Sequence, residues 1–303
     1  LTLLTAKIIC KEKEEYILNG IFVSNYAKSI LTENKISGLM VDTTWKVMSH
    51  YVTSILMAII GNTGIPLSFS FGLSENTELY DLHYEAFKKL EINLADFTIE
   101  SDKGPAIKSF CDEHAINQIY CLRHLLNSLK YKEFSYQVGL LVKCASVSDF
   151  EMCKNISEEE FSEINDQTKL AALNKTLGKV GLIFSENKIT EIDSELWKKC
   201  SMLHRVSYRM PSTTNSLEAT HGHLNKETPR ANEFWASMER LAKTFDVNEK
   251  LINDKIRHNY NYAKNITTRK FQNTEKESMQ SQIEFYNSSD ISCYCSENKI
   301  VSQ

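Results

Sequence analysis

With 303 residues, of which 42% are hydrophobic and 24% charged, the chain has the composition of a globular protein and the length of one large domain or two ordinary ones. A formal net charge of −4 excludes a globally basic protein, so any nucleic-acid contact has to come from local Lys and Arg patches. Ten Gly and four Pro leave little room for linkers, and the longest apolar run, residues 55–60, is far too short to span a membrane.

The first ten residues are apolar but lack a basic leading stretch and a small-residue cleavage site, so they do not read as a signal peptide. The chain starts at Leu1 without an initiator Met and reads as a fragment of something longer. Residues 1–9 and 16–22 are short β-forming pieces, and residues 25–32 suit a helix. The stretch 38–45, G-L-M-V-D-T-T-W, predicts a buried strand that carries Asp42 out of an apolar run. Residues 51–60 and 65–73 predict two more strands. The short Gly61-Asn62-Thr63-Gly64 link makes them a hairpin, and with the Asp42 strand an antiparallel meander. From 76 to 90 the period becomes helical, with Leu79, Leu82, Ala86, Phe87 and Leu90 on one face and Asn76 as N-cap. Residues 94–99 predict a strand that ends near Asp102. A helix then opens at Pro105, a fifth strand covers 116–121, and residues 122–129 turn helical. Helix–strand alternation of this kind implies crossovers and parallel pairing.

From 127 to 210 only helical spacing is visible, over 134–150, 157–177 and 193–204, with Ser157 and Glu160 as a capping box. A capping run at 211–215 predicts a helix over 216–226 that carries Glu218. Residues 232–245 form a strong amphipathic helix with Phe234, Met238, Leu241 and Phe245 on one stripe. Residues 248–270 read as a polar helix. The eight Cys are scattered and read as reduced thiols of an intracellular protein, with Cys293 and Cys295 alone close together.

Three carboxylates, Asp42, Asp102 and Glu218, are the candidate site. An ionised Asp inside a protein is costly unless it is paired or holds a metal. Ligands collect at the carboxyl ends of strands in open α/β sheets. Two acids meeting there repel unless a cation lies between them, and oxygen donors suit Mg²⁺ or Mn²⁺. Plainer readings exist for each: Asp42 as a strand-end residue, Asp102 as turn chemistry in Ser-Asp-Lys-Gly-Pro, and Glu218 as the capping partner of Asn215.

Taken in order, G-L-M-V-D-T-T-W (38–45), Pro66-Leu67, S-D-K-G-P-A-I (101–107), C-L-R-H (121–124) and T-T-N-S-L-E-A-T-H-G-H-L-N (213–225) resemble the transposase domain of Mutator-like elements (MULE). That family belongs to the DDE transposases of ribonuclease-H-like fold, and the similarity runs from about residue 36 to residue 245. The resemblance implies a mixed five-stranded sheet flanked by helices, with a core at 36–126 and 211–246. A helical insertion at 127–210 precedes the last acid, an N-terminal segment covers 1–35, and a helical C-terminal region covers 247–303. It also implies two Mg²⁺ or Mn²⁺ ions on Asp42, Asp102 and Glu218, with His124 of the Cys121-x-x-His124 motif beside them. The reaction implied is hydrolysis at transposon ends and attack of the freed 3′-hydroxyl on target DNA, in the nucleus, by a homo-oligomer assembled on DNA.

Lys103, His221, Lys255, Arg257, Lys264, Arg269 and Lys270 are the candidate phosphate contacts. An ordinary solvated helix face is the plainer reading of 255–270, because Glu249 and Asp254 are interspersed. Cys293-x-Cys295 resembles the opening half of a SWIM zinc finger whose second half is missing, so it does not make a zinc site as it stands. The other readings are a nuclease of the same fold without strand transfer, and a domesticated transposase that regulates transcription by binding DNA or protein.

Overall fold

The computed structural model describes residues 2–11, 14–33, 36, 38–48, 50–60, 63–129, 132–205, 234–245 and 252–254. They divide into two compact units, one drawn from Leu1–Ser128 and Tyr208–Ile256, the other from Leu129–Ser207 and Arg257–Gln303.

The first unit is a mixed seven-stranded sheet flanked by helices. Its strands are β1 (Thr2–Lys11), β2 (Glu14–Val23), β3 (Gly38–Met48), β4 (Tyr51–Ile60), β5 (Thr63–Gly72), β6 (Ile99–Ser101) and β7 (Gln118–Tyr120), in the order β1-β2-β5-β4-β3-β6-β7. The meander β3–β4–β5 is antiparallel, and β6 and β7 add to it in parallel. All residues of β4 except its two ends are buried, which is why its sequence runs apolar without alternating.

Two expectations are corrected here. The sheet has seven strands rather than five. The two N-terminal β-forming pieces are ten-residue strands, and β2 joins the sheet by pairing with β5 from Asn19↔Gly72 to Val23↔Ser68. Their β-propensity was legible, but their partner is chosen by non-local pairing that propensity does not encode. The strand expected over 94–99 is instead a single 3-10 turn, Leu94–Asp96, followed by three-residue β6. Asn93 captures this segment locally, its Oδ1 accepting from the Ala95 N–H at 3.2 Å.

Helices α1 (Ala27–Glu33), α2 (Thr77–Lys89), α3 (Pro105–Glu113), α4 (Leu122–Asn127) and α10 (Phe234–Phe245) belong to this unit. Asn76 caps α2 through a hydrogen bond from the Leu79 N–H at 3.1 Å, and Pro105 occupies the first turn of α3. On one sheet face Leu39, Val41, Leu56 and Leu67 pack with Ile30, Tyr80, Phe87, Ile107 and Phe110 of α1–α3. On the other, Met40, Ile55, Met57, Phe69 and Phe71 pack with Met238, Leu241 and Phe245 of α10, the Phe69 and Phe245 rings lying 5.1 Å apart.

The β5 run S-F-S-F alternates, so Ser68 and Ser70 face α2 and the two Phe face α10. There His83 of α2 meets three hydroxyls, with Nδ1 2.7 Å from Ser68 Oγ and Nε2 3.1 Å from Ser70 Oγ and 3.3 Å from Ser54 Oγ. Ser70 donates its hydrogen to the Leu79 carbonyl at 2.8 Å, so it accepts from the ring. That assigns the proton of the neutral imidazole to Nε2, with Nδ1 accepting from Ser68.

The second unit contains α5 (Lys132–Lys143), α6 (Val147–Ser162), α7 (Gln167–Gly178), α8 (Ser194–Cys200) and α9 (Met202–Arg205). It also contains a hairpin, β8 (Leu182–Ser185) with β9 (Lys188–Glu191), which the all-helical expectation for 127–210 missed. Four-residue strands are too short to show a period. The turn signal is Glu186-Asn187, both with positive φ (51° and 58°), the twist that a two-residue hairpin requires. Ser157 is not a cap but is buried within α6. The side chains that cap α6, α7 and α8 are Ser146, Asp166 and Asp193. Gly181 has φ +85°, and a Cβ there would lie 2.5 Å from the Asp193 carbonyl oxygen.

Candidate functional site

Asp42 pairs across the sheet with Ile55, which pairs with Phe69. Both partners belong to the core beneath α10, so the pleat turns Asp42 to that face, where it is half-buried. Its Oδ1 accepts from the Thr43 N–H at 2.9 Å.

The parallel ladder between β3 and β6 sets Leu39 against Ile99 and Met40 against Glu100. Asp42 stands two residues beyond Met40, and Asp102 two beyond Glu100. The two acids therefore stand at the same level on neighbouring strands, Asp42 within β3 and Asp102 at the carboxyl edge where β6 ends. Strands in a ladder lie about 4.8 Å apart. Asp102 sits just past the end of β6, and its Oδ1 accepts from the Gly104 N–H at 3.1 Å. This is the turn chemistry that the motif Ser-Asp-Lys-Gly-Pro also suggests. Gly104 serves it by lacking a Cβ, which would come 3.1 Å from Asp102 Oδ1.

Cys121 and His124 lie one strand further along the same edge. Cys121 is buried at the end of β7, donates its N–H to the Ser101 carbonyl at 2.8 Å, and starts α4. His124, on α4, is half-buried. Lys103 is exposed, its Nζ 5.5 Å from the centroid of the Tyr120 ring.

Two groups near the acids were not singled out from the sequence. Glu100 is completely buried, and its register with Met40 puts it on the same sheet face as Asp42. The alternation of Glu100 and Asp102 in I-E-S-D was the available signal. Tyr80, on α2, is buried and donates its hydroxyl to Glu75 Oε1 at 2.9 Å. Burial foremost, then the charge and hydrogen bond of Glu75 and the charge of Asp102, push its phenol pKa upward, against a hydrogen bond with Thr43. Tyr80 is thus electrostatically tied both to Asp102 and to the residue that follows Asp42.

Glu218, His221, Lys255, Arg257, Lys264, Arg269, Lys270, Cys293 and Cys295 lie outside the described residues. Among the described residues, no group of three or more His, Cys, Asp or Glu is arranged to hold a metal ion. A hollow of about 190 Å³ lies at the carboxyl end of β5, lined by Asn19, Gly72, Asn76 and Leu79 among others. It is two strands away from Asp42, so the chemistry is argued from the carboxylates and not from the hollow. No described helix is long and apolar enough to cross a membrane. No protein-family model matches the chain, and no curated protein matches it.

Proposed function

We propose that the first unit is the ribonuclease-H-like catalytic core of a DDE transposase of the Mutator-like kind, which cuts DNA at transposon ends and joins the 3′-hydroxyl to target DNA. The observation that supports this reading is the parallel β3–β6 register of Met40 with Glu100, since Asp42 and Asp102 each lie two residues beyond that pair on neighbouring strands. The central order β5-β4-β3-β6-β7, three antiparallel strands followed by two parallel ones, is compatible with that fold. The motif resemblance supplies the third acid, Glu218.

The donor set suits Mg²⁺ or Mn²⁺, since it consists of carboxylate oxygens without thiolates. Asp42, Asp102 and Glu218 would hold the ions, and such a pair, when bound, activates a water or a 3′-hydroxyl and steadies the leaving oxygen of a phosphodiester. The chain's own part is positioning. Backbone N–H groups of Thr43 and Gly104 hold one oxygen of Asp42 and of Asp102 respectively, which restrains one carboxylate within β3 and the other just past the end of β6. Lys103, beside Asp102 and exposed, is placed to meet a phosphate, and His124 is placed to orient a polar group at the same edge. DNA as substrate implies a nuclear protein, acting as an oligomer on paired ends.

The test is plasmid or oligonucleotide cleavage with Mg²⁺ or Mn²⁺. Asp42→Asn and Glu218→Gln each abolish cleavage and leave DNA affinity within about threefold, since phosphate contacts elsewhere supply that affinity. Full cleavage by either variant overturns the reading. Cleavage without joining would identify a nuclease of the same fold, and metal-independent DNA binding without cleavage a transcriptional regulator.

A further inference from the structure

Two buried polar residues stand where β6 and β7 would be expected to run apolar. Strands buried on both faces of a parallel sheet are ordinarily continuous hydrocarbon. Gln118, which opens β7, is completely buried, and Ser101, which closes β6, is 1% exposed. Their side chains meet. Gln118 Nε2 donates to Ser101 Oγ at 2.8 Å and makes a longer approach, 3.5 Å, to the carbonyl oxygen of Asp102. Ser101 in turn donates its hydroxyl hydrogen to that same carbonyl at 2.9 Å. A carbonyl can only accept, and a hydroxyl that has given it a hydrogen presents a lone pair, so the Gln118 amide turns its NH₂ and not its oxygen to both. The relay is therefore directional, with two donors converging on one backbone oxygen.

The place of the relay gives it a use. The β6–β7 pairing ends at Ser101↔Tyr120, one residue before Asp102, with the Cys121 N–H on the Ser101 carbonyl. Side chains take over from the ladder at the residue that carries the acid. Gln118 pairs with Ile99, which packs with Leu39 beneath α1–α3, and Ser101 lies two residues beyond Ile99. Both side chains thus lie on the sheet face opposite Asp42. From there they hold the backbone of Asp102 without occupying its carboxylate oxygens, one of which accepts from the Gly104 N–H.

We propose that Gln118 and Ser101 are positioning residues for Asp102, fixing the direction in which its carboxylate leaves the sheet and so setting the affinity of the site for a divalent cation. This rests on the reading of Asp102 as a ligand to Mg²⁺ or Mn²⁺. Outer-shell groups that hold a ligating side chain are worth about 10–100-fold in metal affinity or activity. A buried amide and hydroxyl that only satisfied each other would act on stability, and their removal from a chain that still folds would leave cation affinity where it was. A pair that aims Asp102 acts on affinity, and only while Asp102 is a carboxylate.

The experiment titrates Mn²⁺ alone into the full chain and reads the dissociation constant from the electron paramagnetic resonance signal of the free ion. In Gln118→Met, which keeps the length of the side chain and loses the donor, Mn²⁺ binds at least about tenfold more weakly, with the far-ultraviolet circular dichroism unchanged. Ser101→Ala weakens binding at least about threefold, and Ser101→Thr, which keeps the hydroxyl, stays within about twofold of the parent. If Gln118→Met does not fold, the Ser101 pair decides. In an Asp102→Asn background, adding Gln118→Met changes the affinity by less than about twofold, because the ligand it aims is gone. Unchanged binding in Gln118→Met and Ser101→Ala, beside a loss in Asp102→Asn, would overturn this proposal alone. So would a Gln118→Met loss that persists in the Asp102→Asn background, the mark of a general loosening of the sheet. Equal affinity in the parent and Asp102→Asn would overturn the metal reading of Asp102 and this proposal with it.

Discussion

Protonation of His83 is the sharpest handle on how the first unit is held together. The ring is buried, and its partners Ser54, Ser68 and Ser70 are neutral hydroxyls, so nothing there compensates a positive charge. Burial pushes its pKa down to about 3, opposed only by a hydrogen bond that the ring donates to the Ser54 backbone. The unfolded chain, with an ordinary His near 6.5, binds the proton more readily, so stability is complete above that value and falls as pH drops towards 3. At about 1.4 kcal/mol per unit of displacement, the loss is about 2 kcal/mol at pH 5 and about 4 kcal/mol at pH 3. Hydrogen exchange at the β4 and β5 amides reads opening of this unit without interference from the other. Between pH 7.5 and pH 5 the protection factors should fall about 30-fold more in the parent chain than in His83→Gln, which cannot titrate. Carboxylate titrations common to both proteins cancel in that comparison. An equal fall in the two would refute the argument and mean that the imidazole is not held neutral by its surroundings.

Three further changes probe packing and backbone. Gly181→Ala should destabilise the second unit by at least about 1–2 kcal/mol, from the left-handed backbone alone, with the approach to the Asp193 carbonyl adding to it. Thermal unfolding followed by the near-ultraviolet signal of buried Trp197 would check this. Asn76→Ala should cost about 1 kcal/mol by freeing the Leu79 N–H, while Asn76→Asp retains the cap and should cost little, both read in urea titrations. Leu241→Ala should remove about 2–5 kcal/mol by opening a cavity between α10 and the sheet, seen as faster exchange in β3 and β5.

The meander, α2 with its Asn76 cap, and the Pro105 start of α3 were legible because each is local: a period, a cap, a ring that fits only a first turn. The parallel pairing of the Asp42 strand with the strand that leads to Asp102 was also within reach, since helix–strand alternation leaves few topologies. What stayed hidden was decided at a distance or at too short a range. The pairing of β2 with β5 depends on residues about 50 positions apart. The β8–β9 hairpin turns on two residues, Glu186 and Asn187, that lack the Gly usually marking such a bend. At the site, the order of Asp42 and Asp102 could be read from motifs, whereas Glu100 showed only as an alternation with Asp102 in I-E-S-D. Its place beneath Asp42 follows from strand register and not from its neighbours in sequence.

The sheet face that α10 covers has a temporal consequence for a chain made from its N-terminus. Met40, Ile55, Met57, Phe69 and Phe71 are all synthesised before residue 73, whereas Met238, Leu241 and Phe245 emerge some 165 residues later. At about 5–20 residues per second, that is a delay of roughly 10–30 seconds during which the first sheet can pair its strands but not bury this side. Closing so wide a gap costs about 2.5 kcal/mol more than closing a ten-residue loop, unless the intervening unit folds first and shortens it. The nascent chain thus carries an adhesive hydrocarbon surface through most of its translation, and chaperone demand should peak just before residue 234 leaves the ribosome.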